Sequence, residues 1–243
     1  MARWAGPEGE LAEVGGVLLW ATASDFPVLL NGAARLDPAI PADQVLSTAD
    51  RWFSAQGRGH TLAIGVGDAD LVDAAEAAGM ILTGDSPQMV CDALSAPPPV
   101  PADVELRWVE TVEDAERFVD VVEPAYCSIG ATPGAVATSL AAPERLLEPH
   151  LSVVLAMLED APAATAVLLE SHGIAGVYYV GTIETARGRG LGELVTQSVT
   201  ERALSRGIPV VGLQASQMGE PIYRRMGYRE IGRTRSYVRF EPV

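Results

Sequence analysis

The segment Arg187-Gly188-Arg189-Gly190-Leu191-Gly192 brings two guanidinium groups and three glycines into six residues. It leaves the apolar, β-rich run 177–183 and opens directly into an amphipathic stretch spanning 190–205. Glycine lets a backbone come close to a ligand, and the first turn of a helix carries N–H groups with no partner inside the helix. Those donors, the positive end of the helix dipole and two arginines make a cradle for a pyrophosphate. Two familiar phosphate loops do not fit. Glu193 follows Gly192 where a nucleoside-triphosphatase loop has Lys and Ser or Thr. The alternate glycines lack dinucleotide-fold spacing, and Gly212-Leu213-Gln214 stands where a ribose-binding acid is expected.

A second segment narrows the choice. Residues 210–216 read as a buried strand, followed by Glu220-Pro221-Ile222-Tyr223-Arg224-Arg225-Met226-Gly227-Tyr228. The R-x-x-G-x-G pattern of Arg187, Gly190 and Gly192, with Tyr223, Arg225, Gly227 and Tyr228 in order downstream, resembles the GNAT superfamily of N-acetyltransferases. The resemblance covers about residues 104–243. It implies an α/β (α+β) fold with a mixed, mostly antiparallel sheet flanked by helices, and acetyl-coenzyme A as cosubstrate without a metal. It further implies direct attack by an amine in a ternary complex, with no covalent acyl-enzyme.

The resemblance also assigns roles. A central strand that splays from its neighbour would hold the pantetheine through backbone groups at Val180, Gly181 and Thr182, and the Val180 N–H is the expected oxyanion donor. Arg187, Gly188, Arg189, Gly190, Leu191 and Gly192 would hold the phosphates, with Ser216 and Tyr223 also touching the cofactor. Tyr223 is the expected general acid toward the leaving thiolate, on the expectation that its surroundings stabilise the phenolate. Glu184, at the end of the central strand, is the expected base, with Glu220 a lesser candidate. Against these stand ordinary alternatives: a solvated turn for the loop, core packing for Tyr223 and a solvated acid for Glu184. A non-catalytic coenzyme A-binding regulatory protein is the competing function.

Composition sets the frame for these elements. A length of 243 residues with 48% hydrophobic content allows two domains or one large one. The net charge of −15 argues against nucleic acid, which selects a basic stripe, and suits an amine-bearing acceptor. Cys91 and Cys127 read as two reduced thiols, and His60, His150 and His172 have no metal-ligand spacing. Arg3, the apolar run 14–23 and Ala21-Thr22-Ala23 mimic an export signal, but Glu8, Glu10 and Glu13 put acid where positive charge is needed. That run is expected to be a buried helix-to-strand stretch, too short to span a bilayer, in a cytoplasmic protein. The acceptor is left open between a small-molecule amine and a protein amino group, and a homodimer is left open as well.

The proline-rich stretch Ser95-Ala96-Pro97-Pro98-Pro99-Val100-Pro101 divides the chain into an N-terminal domain (1–95), a linker (96–102) and a GNAT-like domain (103–243). In the latter, helices are expected from Thr111 to about Tyr126, over 133–147 and over 190–205. Strands are expected over 104–109, 151–158, 164–170, 174–183, 228–233 and 235–240. The N-terminal half faintly echoes this part. Residues 61–66 can be laid over the strand beginning at Pro209, Ala77–Met80 over Arg225–Tyr228, and Met89-Val90 over Tyr237-Val238. The echo is a strand, helix, hairpin order, with Ala75 where Tyr223 stands and no Arg/Gly loop before it.

Overall fold

The computed structural model describes residues 9–28 and 30–241. Arg3 and Glu8, weighed above for an export signal, lie outside them. The chain forms two compact units interleaved in sequence. Among the described residues, one unit takes those up to Ser86, Ala137–Ala142 and those from Gly232 on; the other takes Pro87–Val136 and Pro143–Ile231.

In the first unit, β1 (Glu10–Val14) and β2 (Val17–Ala21) pair antiparallel across the two-residue turn Gly15-Gly16. Both glycines have positive φ, 57° and 77°, as the tight turns that suit strand twist require. The helix expected within 14–23 is therefore absent, since Val17, Leu19 and Ala21 alternate into the core as a strand does. β3 (Gly32–Arg35) pairs antiparallel with β2 and parallel with β4 (His60–Ile64), the crossover being α1 (Ala42–Ser54). α2 (Ala69–Ala77) then leads into β5 (Ile81–Cys91). The fifth strand of this sheet comes from the far end of the chain: β11 (Arg229–Arg239) pairs antiparallel with β4 from Arg235↔Ile64 to Arg239↔His60. Phe53, Leu62, Ile64 and Tyr237 fill the core.

His60 is a polar resident of that core. Its ring stacks on Phe53 with centroids 4.8 Å apart, and Nε2 lies 3.7 Å from Asp50 Oδ1. Burial first, and then the Arg239 charge, lower its pKa from the ordinary 6.5 to about 4. The folded state thus refuses a proton that the unfolded chain accepts below pH 6.5. Stability falls as pH drops from 6.5 toward 4, by on the order of 3 kcal/mol in all. Urea unfolding of His60→Phe should lose this acid limb, and a variant with the wild-type pH dependence would disprove the assignment.

The second unit begins with residues 87–91 of β5, which pair antiparallel with β10 (Val211–Gln214). β10 runs parallel to β9 (Ile174–Thr182), followed by antiparallel β8 (Ala161–Ser171), β7 (Leu151–Leu158) and β6 (Val104–Trp108). α3 (Val112–Cys127) is capped by Thr111, whose side chain accepts from the Asp114 N–H. It packs against β8 and β9. α5 (Leu191–Ser205) packs against β7, β8 and β9, where Leu194, Val195 and Val199 join Val154, Ala166, Leu168 and Val177 in one core. α6 (Glu220–Met226) separates β10 from β11.

Two expected elements change form. The single helix over 133–147 is instead α4 (Ala135–Ser139) and a short 3-10 helix, Pro143–Leu147. Pro143 lacks the N–H to continue a helix and disfavours helical backbone at Ala142. The expected closing hairpin is one continuous strand, β11. Gly232 lies inside it, and a Cβ there would stand 2.2 Å from Val66 Cγ2. The echo holds as strand, helix, strand. β1-β2-β3-α1-β4-α2-β5 and β7-β8-β9-α5-β10-α6-β11 share order and pairing sense, and each series ends on a strand that completes the other's sheet.

Candidate functional site

The site lies in the second unit, at the C-terminal ends of the parallel strands β9 and β10. These strands pair only at Val211↔Ala175 and Gly212↔Gly176. β9 continues to Thr182 and β10 to Gln214 without further mutual pairing, which leaves a gap lined by backbone groups. On the other side of β9 the ladder to β8 is regular up to Val167↔Tyr178 and resumes at Thr165↔Gly181. Tyr179 and Val180 together face Ala166, so β9 carries a bulge at this point. Tyr179 has φ of 50°, a left-handed conformation that costs a non-glycine residue on the order of 1–3 kcal/mol. The bulge also resets the alternation of the strand. Val177 and Val180 pack with the α5 core, whereas Tyr179 lies against Phe118 and Tyr126 of α3.

Beyond Thr182 comes a short 3-10 helix, Glu184–Ala186, and then the Gly/Arg loop. Glu184 is exposed at the start of that turn. Gly188 and Gly190 have φ of 77° and 76°. Gly190 is the N-cap of α5 and, having no side chain, gives the first-turn donors no side-chain partner. Leu191 anchors the helix start with its side chain 1% exposed, and an added Cβ on Gly192 would stand 3.4 Å from Thr182 Oγ1. Both arginines are engaged by protein groups. Arg187 donates to Ser128 Oγ at the C-cap of α3, and Arg189 donates to Asp103 Oδ2 at 2.5 Å. The Arg189 hydrogen bond holds the Asp103 carboxyl below its ordinary value. These are exposed pairs of the kind that a phosphate can displace.

The far wall comes from β10 and α6. Ser216 Oγ accepts from the Gly219 N–H and so braces the entry to α6. A Cβ on Gly219 would stand 2.7 Å from Tyr223 Cε2, so that glycine makes room for the tyrosine ring. Tyr223 is 8% exposed, packs against Tyr228 at 5.9 Å between ring centroids, and reaches Thr196 on α5. Burial raises its pKa, against a smaller opposing effect of the Thr196 hydrogen bond. This corrects the expected phenolate-stabilising environment: the desolvated hydroxyl keeps its proton. Glu220 is tied to Arg224 at 2.7 Å and Glu193 to Arg225 at 3.3 Å.

Sequence reasoning missed two members of this neighbourhood. The rings of Tyr126 and Tyr179 stand 5.7 Å apart, and the Tyr126 pKa is raised by burial, then by Tyr179 and Tyr223. Tyr126 thus packs on Tyr179 of β9 and lies within electrostatic reach of Tyr223. Among its described residues, the first unit has no Gly/Arg loop at the matching position. Between β3 and α1 it carries Leu36-Asp37-Pro38-Ala39-Ile40-Pro41, and Arg35 is held by Asp68, Asp70 and the Ile40 carbonyl. Ala75, fully buried, stands in α2 where α6 has Tyr223. No cluster of metal-ligating side chains occurs among the described residues.

Residues 155–238 match the family described as FR47-like protein. Among curated proteins no match was found. Among solved structures, a GCN5-related N-acetyltransferase from Kribbella flavida superposes with a TM-score of 0.74 at 22% identity, covering 99% of this chain and 92% of that one. A GCN5-related N-acetyltransferase from Sphaerobacter thermophilus gives 0.68 at 18% identity, covering 98% and 83%. A tandem GNAT protein from the clavulanic acid biosynthesis pathway gives 0.63 at 15% identity, covering 98% and 85%. The chain thus has the GNAT fold over nearly its whole length, in a two-part arrangement, with an FR47-like segment in its C-terminal half.

Proposed function

We propose that this GNAT-fold chain is an N-acetyltransferase that moves the acetyl group of acetyl-coenzyme A to an amine of a small molecule or a protein, in the cytoplasm. The observation that carries the reading is the coincidence, at one end of β9 and β10, of an open backbone gap, an uncapped Gly/Arg helix start and an enclosed protonated phenol. Residues 103–243 would carry the chemistry, and residues 1–95 a half without a cradle.

Arg187 and Arg189 would turn from Ser128 and Asp103 to the pyrophosphate, joined by the first N–H groups of α5 at Gly190, Leu191 and Gly192. Val180, Gly181 and Thr182 would hold the pantetheine as an added strand, with Ser216 and Tyr223 closing its other side. The neutral amine attacks the thioester carbonyl and forms the C–N bond. The Val180 N–H takes the oxyanion, and Glu184 accepts the amine proton, directly or through water. The C–S bond then breaks, and the Tyr223 hydroxyl gives its proton to the departing thiolate.

Thiol release from acetyl-coenzyme A with a panel of amines tests the whole reading. Amine-dependent turnover supports it. Thermal stabilisation by coenzyme A without turnover would favour a binding protein instead. Replacing both Arg187 and Arg189 by Ala should remove charge-assisted bonds worth about 1.5–3 kcal/mol each. Asp103→Asn, which frees Arg189, should tighten coenzyme A by a small factor. Calorimetric titration showing unchanged affinity in the double variant would overturn the cradle.

A further inference from the structure

We propose that Tyr179 is a positioning residue for acyl transfer: its ring, wedged between Phe118 and Tyr126 of α3, holds the β9 bulge and keeps the Val180 N–H out of the β8 ladder and aimed into the gap toward β10. The inference rests on the acetyl-transfer reading above.

The backbone at Tyr179 is one that an L-residue avoids and glycine accepts readily. An aromatic side chain persists there because it is fixed on both sides. The ring is 8% exposed; it meets the fully buried Phe118 edge to face at 6.0 Å and Tyr126 at 5.7 Å. On the far side of Val180, the strand is held a second time. An added Cβ on Gly181 would lie 3.1 Å from Ala125 Cβ, so the backbone presses on α3 there too. Val180 is thus suspended between two contacts with one helix while its own side chain joins the α5 core. The partner strand is fixed as well, because Thr165, opposite Gly181, donates from Oγ1 to the Val154 carbonyl at 2.9 Å. With β8 and α3 both rigid, removing the ring is what would let the backbone at Tyr179 leave its left-handed conformation and shift the extra residue along the strand. The N–H would then go to β8 instead of an oxyanion.

Tyr179→Ala and Tyr179→Phe are compared by steady-state kinetics, coenzyme A titration and melting. Tyr179→Phe keeps the wedge and should behave as wild type. Tyr179→Ala, which removes the ring and keeps the strain of a Cβ at this backbone, should lose kcat toward the roughly 10²–10³ of a missing oxyanion donor, with coenzyme A affinity within about twofold of wild type. A merely structural role would instead lower affinity and melting temperature alongside activity. Wild-type kcat in Tyr179→Ala, or a loss confined to KM for acetyl-coenzyme A, would overturn the proposal. Should the unaltered protein acetylate no amine, the transfer reading fails on its own account. Amide hydrogen exchange at Val180 then judges the wedge: slower exchange in Tyr179→Ala supports it, and unchanged or faster exchange refutes it.

Discussion

Tyr223→Phe should turn over about 10²–10⁴-fold more slowly than wild type while binding coenzyme A almost unchanged. The substitution keeps the ring that packs on Tyr228 and fills the space left by Gly219, and removes only the hydroxyl. Because burial raises the phenol's pKa, the proton is in place throughout the neutral range. The pH–rate profile should therefore show no fall attributable to Tyr223 below about pH 10, the ordinary value for tyrosine. Equal turnover in the two proteins would return Tyr223 to a packing role. Parallel losses of rate and melting temperature would point the same way.

Gly192 offers the second large effect, and one in which binding and stability part company. Its backbone is helical, at the second position of α5, and a methyl group there would meet Thr182 Oγ1 at an ordinary 3.4 Å. Gly192→Ala should fold well, gaining up to about 1 kcal/mol of helix propensity. It should nevertheless lose most coenzyme A affinity, because the methyl stands where a pyrophosphate must approach the backbone. Gly192→Val should abolish binding. Gly190→Val should abolish it as well but destabilise the protein, since φ of 76° is strained for a β-branched residue. Isothermal titration beside thermal melts reads both quantities. Wild-type affinity in Gly192→Ala or Gly192→Val would reduce the loop to a turn.

The Gly/Arg turn and the open start of α5 were legible because their signals are local. Two arginines and glycines at fixed offsets encode a left-handed turn and an open helix start in a dozen residues. Tyr223 was legible for the same reason, being fixed by its spacing from Gly227 and Tyr228. Tyr126 and Tyr179 were not, because the bulge that brings them together is a matter of register between β8 and β9, which no run of residues displays. Some misses had a signal on the page. Gly15-Gly16 before the alternating Val17, Leu19 and Ala21 is a hairpin pattern, and Pro143 breaks a helix drawn through it.

The exchange of final strands has a consequence for how such a chain comes to be folded. The sheet of the first unit needs β11, the last strand along the chain, beside β4, with Arg239 opposite His60. The sheet of the second needs β5 beside β10, with Cys91 opposite Val211. Neither pairing is between neighbours in sequence, and both require the closure of long loops before any contact rewards it. While the chain is being synthesised, the sheet of the first unit waits with β4 unpaired on one side until β11 has emerged. Completion of each sheet is thereby made a late event in folding.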